Sequence, residues 1–413
     1  MSLILRQKNL TYRTVRSIHL SNRKKIAILG WYGAFNVGDE AILSGILVSL
    51  KSVMPNSDFV TFSLHPKLTA RLHGVKAFAY YKLFQILPKI DALVVGGGTL
   101  LTDWQLALPL FLYLISAVGW AKILRKPVVL YAVGAEPFST RLGRFLVRII
   151  LNRVDLITVR GHRSKRALEM LGLAKPIHVT ADPALTLQPA DDGEAEEMLK
   201  REEIGIGEGP RVVVSLRRLR GNGQSVKFEW LVAEICDFLV ESYGAEVIFL
   251  PMSTSVYDDD RKIMAETIGM MKNREKARLI IGRLTPQEAM AIIRLSSLLV
   301  SMRLHPLIFA AETHTPMIAL IGRVNHFVPP SNNKISEFLE MINQESLIYN
   351  YEDASTIDLL SKIEELIAVS HLGNGLSLDV ETLEEACFYN ARLVGESVNY
   401  LWEGGVKFWP WRK

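Results

Sequence analysis

Residues 24–43 read KKIAILGWYGAFNVGDEAIL, and this stretch decides the fold class. The apolar residues at 26–29 read as a buried strand, Gly30, Gly33 and Gly38 as a turn allowing close backbone approach, and GDEAIL as a helix start. A strand, a glycine turn and a helix make half of a parallel βαβ unit, and the alternation recurs. It returns at DALVVGGG, KPVVLYAVG and VDLITVRG, and again at RVVVSLRR, AEVIFLP, ARLIIG, SSLLVSM and PMIALIG. Between the two series, residues 187–210 (LQPADDGEAEEMLKREEIGIGEGP) turn acidic, lose the strand pattern and end in glycines and a proline. The pattern predicts an α/β protein of two Rossmann-like domains, at 25–188 and 210–378, joined by a hinge at 189–209. A basic extension (1–24) precedes them, and a C-terminal helix with an aromatic, basic tail (379–413) follows.

The chain has 413 residues, 49% of them hydrophobic and 22% charged, which is material for two cores of ordinary size. The net charge of +5 is modest and no nucleic-acid-binding motif occurs, so small anions or membrane surfaces are favoured over nucleic acid. The two cysteines, Cys236 and Cys387, are too far apart for a metal or redox motif, and no His/Cys/Asp cluster has ligand spacing. The reading is a cytoplasmic protein with no metal. The apolar run at 105–121, QLALPLFLYLISAVGWA, is interrupted by Pro109 and shorter than the roughly 20 residues of a membrane span, so it reads as a crossover helix. The basic first 25 residues, this run and the tail LWEGGVKFWPWRK keep peripheral association with the inner membrane face open.

In open α/β sheets ligands bind beyond the carboxyl ends of the strands. At those positions stand Gly33, Asn36, Gly38, Asp39 and Glu40 after the first strand, and Gly97, Gly98 and Asp103 after DALVV. Arg160 follows LITV, Arg217 and Arg218 follow VVVS with Arg220 close behind, and Arg303 and His305 follow LLVSM. Guanidinium forks match phosphate and carboxylate oxygens, so arginines gathered from several strand ends point to a densely charged anion. Asp39 also reads as a helix cap, Ser164 as the cap of the helix after Arg160, and Asp182 either as a residue lining the interdomain hinge or as part of an Asp-Pro turn. A residue before proline avoids helical geometry, so His305 is predicted to be the last extended residue and Pro306 to open the helix PLIFAAETH.

Taken together, GAFNVGDEAIL, VVGGGTLLTD, YAVGAEP, TVRGHRS, ADPA and RLHPLIFAA, in that order between residues 26 and 320, resemble the polysaccharide pyruvyl transferase family, with its bacterial cell-wall and exopolysaccharide members. The resemblance implies a GT-B-like fold whose two Rossmann-like domains face a central cleft. It implies transfer of the pyruvyl unit of phosphoenolpyruvate onto a sugar, free or lipid-linked, as a cyclic ketal with release of phosphate and with no cofactor. It makes His305 the acid that protonates the methylene carbon, a task that suits an ordinary pKa of about 6.5. Arg160, Arg217 and Arg303 would hold the phosphate and carboxylate. The loops with Gly33, Asn36, Gly38, Asp39, Glu40, Gly97, Gly98 and Asp103 would face the acceptor. Two departures stand out: Gly161 where members commonly carry aspartate, and IGRVNHFVPP in place of a Tyr-Asp-Pro-Lys-like turn, with Arg323 supplying a positive charge. Two rivals remain: a GT-B glycosyltransferase or epimerase gripping a nucleotide ribose with Glu312, and a non-catalytic glycan-binding paralogue.

Overall fold

Two all-parallel sheets carry the fold. The first runs, in spatial order, Lys76–Ala79, Ser57–Ser63, Lys24–Leu29, Ala92–Gly96, Val128–Ala135, Leu156–Val159 and Ile177–Val179, with Thr99–Leu101 pairing beside Val128–Ala135. The second runs Ala277–Leu279, Glu246–Phe249, Arg211–Ser215, Leu298–Ser301, Met317–Ile321 and Ile348–Asn350. This computed structural model describes residues 23–103, 108–204, 209–218, 224–256, 258–322, 334–352, 355–371, 375–376 and 378–402. The central strands are covered by helices on both faces, which is why runs such as IAIL and LLV are apolar without alternation.

Strand order reverses between Lys24–Leu29 and Ala92–Gly96 in the first sheet, and between Arg211–Ser215 and Leu298–Ser301 in the second. At such a point the connections leave in opposite directions and open a crevice at the carboxyl ends of the strands. The helix Val37–Val53 starts at the first crevice. Asn36, extended at φ −113° and ψ 112°, caps it by accepting from the Gly38 N–H at 3.0 Å, so the cap is Asn36 and not Asp39.

The segment predicted to be a hinge holds a helix, Asp192–Arg201, whose Ala195, Met198 and Leu199 are buried in the core of the second half. The Ala190 N–H bonds the Gln287 carbonyl at 3.1 Å, and Arg294 donates to the Ala190 carbonyl at 2.9 Å. The acidic residues that read as a linker are the solvated face of an amphipathic helix. The helix Glu381–Trp402 crosses back to the first half, where Ala391, Val394 and Val398 pack with Ile28, Ile46 and Leu50. The helix Leu108–Ile123 carries Pro109 in its first turn and buries Phe111, Leu114, Val118 and Ala121 against the opposite face of that sheet. Among the described residues no helix is long and apolar enough to cross a membrane. Most of the basic extension and the aromatic tail lie outside the described residues.

The halves touch through both backbone and side chains. Val37 N–H donates to the Met252 carbonyl at 2.8 Å, Thr254 N–H to the Phe35 carbonyl at 2.9 Å, and the Arg283 guanidinium stacks 3.6 Å from the centre of the Phe35 ring. Val37, Ala41, Ala184 and Leu185 share one apolar cluster with Leu304, Leu307 and Ile308.

Candidate active site

The two reversal points meet across a cleft of about 370 Å³. Asn36, Asp39, Gly98, Thr99 and Arg160 line it from the first half, and Arg217, Arg303, His305 and Lys334 from the second.

Arg303 is the N-cap of the helix Leu304–Glu312, extended at φ −110° and ψ 141°. Its Nη2 pairs with Asp260 and, at 3.1 Å, with Asp258. Asp260 is buried and accepts the N–H groups of Met252 and Ser253 at 3.1 and 2.8 Å, so two carboxylates fix the fork from behind. The Arg303 Nε is buried without a partner among the described residues. The helix begins at Leu304, two residues earlier than predicted, and His305 is helical. The first four N–H groups of any helix lack a partner within it, so Pro306 loses nothing in the first turn.

The His305 ring lies directly on Gly38. A Cβ built there would fall 2.1 Å from Nδ1, so the approach this glycine permits is to a side chain of the other half. The His305 Nε2 is buried with no partner among the described residues. Burial pushes the ring down to about 4; Asp182 opposes the shift, and Arg160, Lys334 and Arg303 add to it.

Arg160 Nη1 donates to Asp182 Oδ2 at 2.8 Å, and Nη2 to Thr99 Oγ1 at 3.0 Å. Asp182 has two roles, since its other oxygen accepts from the Ala184 N–H at 3.1 Å and caps the turn Pro183–Thr186. Burial would raise its carboxyl, but Arg160, His305 and the Ala184 N–H hold it below the ordinary range.

The helix His162–Glu169 after Arg160 has Gly161 as N-cap and no cap of its own; Ser164 instead accepts from the Ala135 N–H at 3.0 Å. The cap comes from the other half. Glu337 Oε1 accepts the Arg163 N–H at 2.6 Å, and Arg163 also pairs with Glu340 at 3.2 Å. A Cβ on Gly161 would lie 2.5 Å from the Glu337 carboxylate carbon, so the missing side chain makes room for the borrowed one. Lys334 lies three residues before Glu337 on the helix Lys334–Met341, on the same face, and reaches the cleft. Desolvation and the fields of Arg160, Arg217 and Arg303 push its ammonium down to about 8, with Glu136 opposing.

Asp39 faces these cations from the first half. Burial and the neighbouring Glu40 raise its carboxyl to about 7 against the pull of Lys334, Arg160 and Arg303. Gly98 lines the wall opposite at φ +72°, a backbone conformation that side-chain-bearing residues rarely adopt.

Five residues predicted to face the acceptor do not line the cleft: Gly38 lies beneath the His305 ring, and Gly33, Glu40, Gly97 and Asp103 shape loops behind the cleft. Glu40 accepts the Gly33 N–H at 2.7 Å and meets His73 Nε2 at 2.6 Å, and His73 Nδ1 lies 3.1 Å from Ser44 Oγ. This buried chain fixes the turn at Gly33, whose φ is +73°. Gly97 backs onto Ile42. Asp103 accepts the N–H and hydroxyl groups of both Ser139 and Thr140. Arg218 pairs with Glu266, while Arg220 and Arg323 lie outside the described residues. Glu312 meets Glu384 instead of the cleft; burial and that second carboxylate push it up to about 9.

Sequence reasoning missed Lys334, Asp258, Asp260 and Glu337. Lys334 carried a signal, because a lysine at the head of a helix opposes the helix dipole without gain unless an anion is near. The three carboxylates carried none, since only the tertiary fold brings them to Arg303 and Gly161.

Fold and cleft together define a class, the two-domain GT-B-like α/β proteins. The chain is similar to UDP-GlcNAc 2-epimerase from Methanocaldococcus jannaschii, with a TM-score of 0.61 and 13% identity, covering 90% of this chain and 99% of that one. It is also similar to S. aureus MnaA in its UDP co-structure (TM-score 0.59, 12% identity, 94% and 99% covered) and to E. coli ADP-heptose lps heptosyltransferase II (0.52, 12%, 84% and 99%). At these identities the likeness shows the fold alone. The polysaccharide pyruvyl transferase model matches residues 36–322, and the chain belongs to that family. The amylovoran biosynthesis protein AmsJ of Erwinia amylovora is 21% identical over 349 residues, 72% of this chain and 83% of that protein.

Proposed function

We propose that the chain transfers the pyruvyl unit of phosphoenolpyruvate onto two hydroxyls of a glycan sugar as a cyclic ketal, releasing phosphate. The observation that carries this reading is the pair of buried, unpartnered polar atoms, Arg303 Nε and His305 Nε2, in a cleft where Arg160, Arg217 and Lys334 converge. Buried polar atoms in proteins are nearly always satisfied, so a ligand with anionic oxygens beside a proton-accepting carbon suits this pair.

Arg160, Arg217, Arg303 and Lys334 grip the phosphate and carboxylate of the donor. Burial, with their fields added to it, holds His305 neutral in the free enzyme, and the donor's two anionic groups cancel those fields and oppose the rest of the shift. His305 then returns toward its ordinary range, takes up a proton and passes it to the methylene carbon. The first sugar hydroxyl adds to the electron-poor carbon, the carbon–oxygen bond to phosphate breaks, and the second hydroxyl closes the ketal. Of the two hydroxyl protons, one restores His305 and the other leaves with phosphate. Asp39, near neutrality on the acceptor side, accepts each hydroxyl proton as its oxygen attacks and relays one to His305 and the other to the departing phosphate. The acceptor is a cell-surface glycan or its lipid-linked precursor, met in the cytoplasm or at the inner membrane face.

Phosphate release from phosphoenolpyruvate across a panel of free and lipid-linked sugars tests the reading. Release that depends on an acceptor supports it, and release driven only by nucleotide sugars, or none at all, overturns it. The nucleotide-sugar alternative has lost its proposed ribose partner, because Glu312 meets Glu384 instead of the cleft.

A further inference from the structure

One face of the first sheet is covered by Leu83–Ile86, Leu108–Ile123 and Arg141–Leu151, which bury Leu83, Phe111, Leu114, Val147 and Leu151 beneath them. Their outer side is not the polar surface such helices usually present. Ile123 is 70% exposed, Leu142 63%, Phe145 59%, Phe84 45% and Leu112 41%. Along Arg141–Leu151, Gly143, Val147 and Leu151 point inward at a spacing of four, while Leu142 and Phe145 form a second apolar stripe facing out. The helix is therefore apolar on two sides, and among the described residues only one of them has a protein partner.

The charges around this face are mostly positive, and Asp155, just beyond it, is paired with Lys122 at 2.7 Å. Residues 108–153 hold seven lysines and arginines and one acidic residue, Glu136. Arg141, Arg144 and Arg148 flank the Leu142–Phe145 stripe at helical spacing. Arg144 donates to the Phe138 carbonyl and Arg153 to the Ile149 carbonyl, and among the described residues no carboxylate pairs with them. A second copy of this face would set arginine against arginine in a two-fold contact, which disfavours self-association. An anionic lipid surface supplies both complements at once, phosphates for the arginines and an acyl boundary for Leu142 and Phe145.

The face also adjoins the cleft. Helices of parallel units start at the carboxyl ends of the strands, where the cleft opens. Leu110 lines the cleft while Leu108 and Leu112, two residues to either side, are exposed.

We propose that this face seats the protein on an anionic bilayer, with Leu142 and Phe145 in the headgroup–acyl boundary and the cleft mouth held at the lipid surface. Seating depends only on the surface residues; presentation of a lipid-linked acceptor to His305 rests on the pyruvyl transfer reading. The full chain is tested by flotation with phosphatidylcholine vesicles, with and without phosphatidylglycerol. Wild type should float only with the anionic vesicles. Arg141→Glu/Arg144→Glu should lose about fivefold in affinity per arginine, and Leu142→Glu/Phe145→Glu should lose binding about tenfold or more. Both variants should keep the wild-type circular dichroism spectrum and, where the pyruvyl reading holds, wild-type turnover of a water-soluble acceptor. Failure of wild type to float overturns the inference. So does unchanged binding by both variants, which assigns the membrane to the basic extension or the tail, and so does a wild-type dimer in solution that Leu142→Glu/Phe145→Glu dissolves.

Discussion

The imidazole of His305, from the second half of the molecule, occupies the space that a side chain on Gly38 of the first half would fill. Gly38 sits in the first turn of Val37–Val53, where alanine is the better helix former, so Gly38→Ala should leave the helix intact and evict the ring. A positioned acid contributes about a hundred- to ten-thousand-fold. Gly38→Ala should therefore reduce kcat at least a hundredfold, matching His305→Ala, with little change in the KM for phosphoenolpyruvate. Wild-type kcat in Gly38→Ala would dissociate His305 from the chemistry.

Donor binding should draw a proton onto His305, because the ring is held near 4 partly by cations that the donor neutralises. Titration calorimetry at pH 7.5 in buffers of different ionisation enthalpy should show fractional proton uptake that His305→Ala reduces, the remainder going to Lys334, which is held near 8 in the free protein. With more protons on the complex than on its free components, affinity should fall as pH rises. Equal proton uptake in the mutant would place the proton elsewhere.

Asp39→Asn should separate stability from activity. The folded protein raises this carboxyl from 3.8 to about 7, so its favourable contribution is complete below about pH 4 and is lost as pH climbs through 7. The amide escapes that cost. Thermal melts at pH 8 should show Asp39→Asn more stable than wild type, by up to about 4 kcal/mol before solvent screening, with the difference vanishing near pH 4. Turnover should meanwhile fall and lose its dependence on a group titrating near 7.

Glu337 caps a helix that belongs to the other half, and Lys334 shares its face. In Gly161→Asp the new carboxylate should cap that helix from within and expel Glu337, so the helix stays capped while this one contact between the halves is lost. The KM for phosphoenolpyruvate should rise about tenfold, as expected for losing one charge-assisted hydrogen bond, with less effect on kcat. Glu337→Ala should behave alike. An unchanged KM in both would show that the contact does not place Lys334.

The repeating alternation of apolar runs and glycine turns made nine strands of the two parallel sheets legible, because burial on both faces leaves few other patterns open to a strand; Ser57–Ser63, Lys76–Ala79, Thr99–Leu101, Ile177–Val179 and Ile348–Asn350 were missed by that pattern. The residues after the strands gave Arg160, Arg217, Arg303 and His305, since a sheet's reversal point assigns its own positions to the crevice. Residues that act by contact across the halves were not legible. Nothing in the sequence near Gly161 announces Glu337, and nothing near Arg303 announces Asp260. Glu40 and Asp103 were misplaced for a related reason: a carboxylate beside a glycine loop reads alike whether it faces a ligand or holds the loop from behind.

The most direct measurement is the mass of the acceptor sugar after incubation with phosphoenolpyruvate in deuterium oxide. Pyruvyl transfer through protonation of the methylene carbon predicts a pyruvyl ketal carrying one deuterium in its methyl group, formed by wild type and lost in His305→Ala. An unmodified sugar, or one modified only when a nucleotide sugar is supplied, would contradict it.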